Sequence, residues 1–301
     1  TKQMLEVYAD CCENWLAMPV IRGRKTDKEK FAGAVDTYTV ECMMHDHKAL
    51  QSGTSHYFGD GFARAFDITF SDKDNKLAWP HQTSWGMSTR IIGGIIMTHG
   101  DNNGLVLPPK IAPVQVIVVP IAAHKPGVTE KARELMERLK KAGLRVKIDE
   151  SDNSPGWKFA EYEMKGVPLR LEVGPKDIEN GQCVMVRRDN GEKTFVSFDA
   201  LEESAEKLLQ AVHDGMYAKA LKNLEENTWV AHTLDEAKAI QQEKGGFVKT
   251  MWCGSVECEQ RMKDEAGMSS RCRPYRQEKL DEHCAICGGE AREMVIWGVA
   301  Y

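Results

Sequence analysis

Two pairs of cysteines near the end of the chain carry the plainest chemistry: Cys253-x4-Cys258 and Cys284-x2-Cys287. Zinc in a structural site takes four soft ligands at the corners of a tetrahedron, and each short pair supplies two corners. The 25 residues between the pairs form a loop long enough to close easily. Four thiolates leave no open coordination position, which points to a structural rather than a catalytic ion. Cys272 lies between the pairs and is either a substitute ligand or a bystander. Four unrelated buried cysteines are the plainer alternative.

A second stretch, "QSGTSHYFGDGFARAF" at residues 51–66, places Gln51, Thr54, Ser55 and His56 among small residues. Glycine lets a ligand approach the backbone, and hydroxyl, amide and imidazole groups offer donors and acceptors in a row. Taken alone, His56 reads better as a satisfied structural histidine. Arg90, in "TSWGMSTRIIGG", precedes a glycine-containing apolar run. Its planar, permanently charged fork matches phosphate oxygens. Taken alone, it reads better as a surface arginine at a helix start. The basic pieces "GRKT" and "KEKF" near residues 23–31 read as a solvated loop.

Composition bounds what these groups can serve. The chain has 301 residues and a net charge of −5, with charges of both signs interspersed. That length predicts two or three domains. The absence of a basic excess gives no global signal for nucleic acid, leaving only local patches. No apolar run is long enough to span a bilayer, and no secretory signal is present. Nine cysteines, scattered apart from the two pairs, fit reduced cytoplasmic thiols better than a disulfide framework. A start at Thr1 rather than Met suggests a processed chain or a piece of a longer one.

The elements that must position these residues fall into three blocks. Residues 1–112 mix helix and strand: "TKQMLEVYADCCENWLA" has helical spacing, "TYTVECMM" and "ARAFDITF" read as strands, and "STRIIGGIIMTHGD" reads as a buried helix. "LPPKIAP", with three prolines in seven residues, ends that block. Residues 113–213 alternate. "VQVIVV" is a buried parallel strand and "TEKARELMERLKKA" a helix closed by Gly143. "LRVKID", "GWKFAEYEMKG" and "VPLRLEVG" follow as strand, helix and strand. "CVMVRRDNGEKTFVSF" forms a hairpin at Asn190-Gly191, and a long helix starts at Leu201. Residues 214–301 read as charged helices leading into the cysteine region.

"ALQSGTSHYFGDGFARAF", "TSWGMSTRIIGGIIMTHGDNNGLVLPP", "GWKFAEYEMKGVPLRLEVGPKD" and the terminal cysteines with "WGVAY" together resemble the prolyl-tRNA synthetases. The likeness is to the archaeal and eukaryote-like form that carries a C-terminal zinc-binding domain. It implies a multidomain α/β and α+β protein. Residues 1–112 would be part of a class II antiparallel-sheet catalytic domain, 113–213 an α/β anticodon-binding domain, and 214–301 a small α+β zinc-binding domain.

The resemblance further implies a proline–tRNA ligase that makes prolyl-adenylate from L-proline and ATP with Mg²⁺, then charges tRNA(Pro). "GMSTRIIGG" resembles motif 3 of the class. By that likeness Gln51, Thr54, Ser88 and Arg90 face ATP, with Arg90 on the γ-phosphate. His56 and Trp85 face proline, and Arg90 and His56 are the catalytic candidates. Phe159, Glu163, Arg170 and Lys176 face the anticodon, with Lys193 a weaker phosphate contact. Cys253, Cys258, Cys284 and Cys287 hold structural Zn²⁺. A cytoplasmic homodimer is implied for the full-length protein. Motifs 1 and 2 of the class do not occur in these residues, so the chain is expected to be inactive alone, on an incomplete catalytic sheet of low stability. The alternative is a non-catalytic tRNA-binding or regulatory protein retaining the anticodon and zinc domains. The terminal Tyr301 carboxylate either packs back on the protein or frays.

Overall fold

The computed structural model describes residues 1–301 and divides them into two compact units. One comprises Thr1–Asn14, Met18–Gly94 and Leu221–Tyr301; the other comprises Trp15–Ala17 and Ile95–Ala220.

The first unit begins with helix α1 (Lys2–Asp10) and strands β1 (Ile21–Arg24), β2 (Asp36–Met43) and β3 (Ala49–Gly59). Leu5, Tyr8 and Ala9 are the buried face of α1, and Tyr8 packs against Gly53 of β3. "ARAFDITF", expected as a strand, is instead the short helix α2 (Gly61–Ala65) and a turn with Asp67 at φ 54°. Most of that stretch is exposed, so there is no buried face for alternation to serve. A small hairpin, β4 (Phe70–Ser71) with β5 (Leu77–Ala78), and strand β6 (Gln82–Gly86) follow. Helix α3 (Arg90–His99) forms where the glycine-bearing helix was expected, but it is buried on one side only: Ile92 and Ile96 are exposed. A Cβ on Gly94 would lie 2.7 Å from Leu50 Cδ2, so the absent side chain is what lets α3 start against β3.

The second unit is a mixed sheet covered by helices. Strand β7 (Val116–Pro120) is buried at every position, as its unbroken apolar run requires. Helix α4 (Val128–Lys141) lays Val128, Ala132, Leu135 and Leu139 on the sheet. Strand β8 (Val146–Ile148), helix α5 (Pro155–Met164), strand β9 (Leu169–Val173), helix α6 (Pro175–Glu179), strands β10 (Gln182–Arg187) and β11 (Lys193–Ser197), and helix α7 (Leu201–Glu226) complete the alternation. The order is β11-β10-β9-β7-β8, with β7 parallel to β8 and β9, and β10 antiparallel to both neighbours. Ser154 caps α5 by accepting from the Trp157 backbone N–H. That satisfies one of the helix's orphan donors.

His99 is buried in this unit, with Nε2 2.8 Å from the Leu16 carbonyl oxygen. Burial pushes its pKa down to about 4. The unfolded imidazole titrates near 6.5, so between those values the unfolded chain binds the extra proton. The stabilisation is therefore complete above pH ~6.5 and is lost as pH falls towards 4. Two and a half pKa units correspond to something on the order of 3 kcal/mol. Chemical unfolding between pH 7 and 4 is expected to show this slope in the wild type and a flatter one in His99→Gln.

The remaining chain returns to the first unit as strand β12 (Thr228–Val230), helix α8 (Leu234–Glu243), strand β13 (Phe247–Trp252), helix α9 (Val256–Ala266), and strands β14 (Ser269–Pro274) and β15 (Glu293–Gly298). One eight-stranded sheet results, in the order β12-β13-β15-β14-β1-β2-β3-β6. Its junction is the antiparallel pair β1·β14, where Gly23 faces Pro274 and Arg24 faces Arg273. A Cβ on Gly23 would lie 2.6 Å from the Arg273 carbonyl oxygen and 2.7 Å from Cys272 Sγ, so only glycine lets β14 come this close. The "GRKT" segment, expected as a solvated loop, is buried at Lys25 and Thr26 because Glu41 and Glu259 wait there as partners. The last residue is held by its N–H and ring, not through any contact of its carboxylate: the Tyr301 backbone N–H reaches the Ala49 carbonyl oxygen at 3.4 Å, Lys48 Nζ lies 5.1 Å from the Tyr301 ring, and the residue stays half exposed.

Candidate functional site

Three groups of side chains stand out. The first is built on β3. Its ladder with β2 pairs Val40 with Gly53 but Glu41 with Gln51, leaving Ser52 as an extra residue. Strand residues alternate sides, so residues 51 and 54 would ordinarily face opposite ways. The bulge at Ser52 brings them to one face. Register then sets Gln51, Thr54 and His56 opposite Glu41, Thr39 and Thr37 in turn. Gln51 and Thr54 line a cavity of about 270 Å³ with Ser88 and Arg90, closed by Gly53, Gly86 and Met87. Arg90 opens α3 at the helix's positive end, and its backbone N–H donates to Ser88 Oγ at 3.3 Å. A permanent cation beside a helix start, with hydroxyl and amide groups around it, suits a polyphosphate.

His56 lies on the same face, outside that cavity lining. Its Nδ1 is 3.0 Å from Thr37 Oγ1 and its ring centroid is 5.0 Å from that of Phe31. Burial lowers its pKa, which favours the neutral imidazole. Trp85 is placed differently from expectation. Its register partner is Ser55, on the opposite face from His56, and it is half exposed. The two residues expected around proline therefore do not share a wall.

The second group lies in the other unit. The Arg170 guanidinium sits 3.9 Å from the Phe159 ring centroid, donates to Glu163 Oε1 at 3.1 Å and to Glu172 Oε1 at 2.9 Å, and is nearly buried. The structure so brings together Phe159, Glu163 and Arg170. Lys176 stands exposed on α6 and Lys193 exposed at the start of β11. A cavity of about 290 Å³ opens beside Glu163 and Arg170, and Arg187, Arg188, Asp101 and Asn190 line it too. Arg188 makes a two-pronged pair with Asp101, both contacts at 2.7 Å, and donates to the Glu163 carbonyl oxygen at 2.8 Å. Sequence reading passed over Arg187 and Arg188, although the Arg-Arg doublet ahead of the Asn-Gly turn was a visible signal. A guanidinium plane, an aromatic face and carboxylates around a space of this size can stack and hydrogen-bond an unpaired base.

The third group is the cysteines. Cys253 follows the end of β13, and Cys258 lies in the first turn of α9, whose Ser255 cap accepts from the Cys258 N–H at 3.2 Å. Cys284 and Cys287 lie on a turn pinned to β13 by the Ala285 N–H to the Met251 carbonyl oxygen, 3.0 Å. Arg261 Nη1 donates to the Ile286 carbonyl oxygen of the same turn at 2.9 Å. The four Sγ atoms lie within 4.8 Å of one another, with Cys253 3.6 Å from Cys258 and 3.9 Å from Cys287. A tetrahedron with Zn–S bonds of ~2.3 Å has sulfurs roughly 3.8 Å apart, so the donor set fits a metal of that size. Burial raises Cys284, and pushes Cys258 up to about 12. Cys253 is brought down to about 7: burial opposes this, but hydrogen bonds from the Ser255 N–H and neighbouring thiols outweigh it. Cys272 is no ligand here, being buried in β14 against Gly23.

Comparison with known proteins bears on all three groups. Residues 115–208 match the model of the anticodon binding domain, and residues 234–301 match that of the prolyl-tRNA synthetase C-terminal domain. The chain corresponds to a C-terminal portion of the prolyl-tRNA synthetases. A proline–tRNA ligase of Clostridium novyi is 60% identical over all 301 residues. Proline–tRNA ligase 2 of Bacillus cereus and a proline–tRNA ligase of Ruminiclostridium cellulolyticum are each 59% identical over the same span. The chain spans 63% of the length of these relatives. No helix is long and apolar enough to cross a membrane.

Proposed function

We propose that this chain contributes the nucleotide face, the anticodon reader and a zinc-stapled C-terminal module of a proline–tRNA ligase. That enzyme would activate L-proline with ATP·Mg²⁺ and transfer it to tRNA(Pro). The observation that carries the reading is the joining of Gln51, Thr54, Ser88 and Arg90, far apart in sequence, around one cavity at a helix start. Arg90 holds the γ-phosphate there, while Gln51, Thr54 and Ser88 orient the rest of the nucleotide. Positioning and fixed charge do most of the work in such a transfer. His56, neutral beside Phe31, lies towards proline. A snug apolar pocket rejects near-isosteres poorly, so alanine and cysteine are the competitors to expect.

Residues 1–112 belong to the catalytic part in this reading, 113–213 to the anticodon-binding domain and 214–301 to the zinc module. Phe159, Glu163 and Arg170 read bases, with Lys176 outside that cluster. Cys253, Cys258, Cys284 and Cys287 hold Zn²⁺, which staples the fold and takes no part in the reaction. The working enzyme is a cytoplasmic homodimer.

The test is proline-dependent ATP–pyrophosphate exchange by this chain, beside a chain extended upstream to the length of its relatives. Exchange in the extended protein alone supports the reading and shows that motifs 1 and 2 are required. Exchange in neither, with tRNA binding retained, moves the assignment to a non-catalytic tRNA-binding protein. Exchange by the 301 residues alone overturns the requirement for motifs 1 and 2.

A further inference from the structure

We infer that Arg271 is a positioning residue for the Gln51–Arg90 cavity, acting from strand β14 through the carboxylate of Glu41. Glu41 is fully buried on β2. Its Oε1 accepts from Lys25 Nζ at 2.8 Å and from Thr39 Oγ1 at 2.7 Å. Its Oε2 accepts from Arg271 Nε at 3.1 Å and Nη2 at 2.9 Å. Arg271 and Lys25 are themselves almost wholly buried. Two cations and one anion are thus sealed inside the eight-stranded sheet.

Register says what this cluster supports. Glu41 is the cross-strand partner of Gln51, and Thr39 that of Thr54, on the face that carries the cavity. The bulge at Ser52 sits between them, and at a bulge the ladder itself gives the least support. Arg271 sets two donors of its guanidinium fork, Nε and Nη2, on one oxygen of the residue opposite that weak point, where a lysine could set only one. The neighbouring contacts hold the other cation's segment to the same region. Arg273 donates to the Lys25 carbonyl oxygen at 3.0 Å, and Thr26 Oγ1 donates to Glu259 Oε1 at 2.7 Å. A residue 230 positions further along the chain therefore braces Glu41, the cross-strand partner of a residue that lines the cavity.

This inference rests on the proposed function for what the cavity holds, but the anchoring itself can be read without any ligand. Removing either cation leaves Glu41 a neutral pair, so neither substitution strands a buried charge. Hydrogen–deuterium exchange of the 301-residue protein decides the matter. In Arg271→Met, peptides covering residues 49–57 are expected to exchange about tenfold faster, while those over β7 and β9 keep their rate. Lys25→Met retains the fork and should stay within about twofold of wild type over 49–57. Arg271→Lys should restore part of the protection, and it carries the comparison with wild type if Arg271→Met fails to fold. Unchanged exchange over 49–57 in the Arg271 variants overturns the inference. So does equal loosening in Lys25→Met, which would assign the effect to buried charge rather than to the fork. ATP·Mg²⁺ titration of the same proteins is a separate arm. An Arg271→Met protein that binds about tenfold more weakly adds support. A wild type that binds no ATP counts against the nucleotide reading and leaves the exchange result to judge Arg271.

Discussion

Replacing Cys284 with serine is expected to strip the cysteine centre of its metal. Zinc measured on the purified protein should fall from about one ion per chain to near zero, because three thiolates and a hydroxyl are a poor tetrahedral set for zinc. The loss of stability should be large. Binding at structural zinc sites is worth roughly 10–16 kcal/mol in small modules, comparable with or above the whole stability of a typical domain. Here the two ligand-bearing segments are short and local: the end of β13 with the start of α9, and a turn pinned to β13. Without the ion, that turn keeps the packing of Cys284, Ala285 and Ile286 into the module's core, the Arg261 contact to Ile286 and a few backbone bonds, but loses the link between its two ligand-bearing segments. Thermal unfolding is therefore expected to begin at a much lower temperature in Cys284→Ser, and chelation of the wild type should reproduce the shift. Because β13, β14 and β15 belong to the eight-stranded sheet, the damage should spread beyond the module. Zinc retained by Cys284→Ser would remove Cys284 from the ligand set, and a wild type without zinc whose transition matches that of Cys284→Ser would show that the four thiols are a packed cluster and nothing more.

How much of this was readable in the sequence depended on whether the signal was local. The alternation from Val116 to Glu226 came through because each element announces itself. β7 is a continuous apolar run, Gly143 and Gly166 sit at positive φ after their helices, and the hairpin has its Asn-Gly turn. The cysteine pairs came through for the same reason. Strand β14 did not, since "SSRCRP" looks like a polar surface segment. Its Ser270 and Arg271 are buried only because Glu259 and Glu41 meet them. Strand β13 is buried on both faces and shows no period-two alternation to find. The bulge at Ser52 was equally silent, although it decides that Gln51 and Thr54 share a face. The register of Trp85 was silent too: it pairs with Ser55 rather than His56, and one step of register moves a side chain to the other side of a sheet.

The anticodon reading leads to the other large effect. Arg170→Ala is expected to weaken binding of a tRNA(Pro) anticodon stem-loop by roughly tenfold to a hundredfold, the ~1–3 kcal/mol that a well-placed arginine contributes to base discrimination. The geometry explains why this arginine should matter more than its neighbours. The Phe159 ring centroid lies 3.9 Å from the guanidinium carbon, while Glu163 and Glu172 hold Nη1 and Nε, so the fork is fixed before any ligand arrives. A preset side chain loses little freedom on binding. Its remaining donors are left to meet a base in the adjoining cavity. Lysine keeps the charge but has neither the plane nor the fork, so Arg170→Lys should recover little of the loss. Lys176→Ala, at an exposed position, should cost only the modest, salt-sensitive share of a phosphate contact. The comparison belongs at one fixed salt concentration, by fluorescence anisotropy, with a stem-loop of altered anticodon alongside. If Arg170 reads bases, its loss should hardly change binding to the altered loop. Equal weakening on both loops would make Arg170 a phosphate contact, and wild-type affinity in a folded Arg170→Ala protein would remove it from the interface altogether.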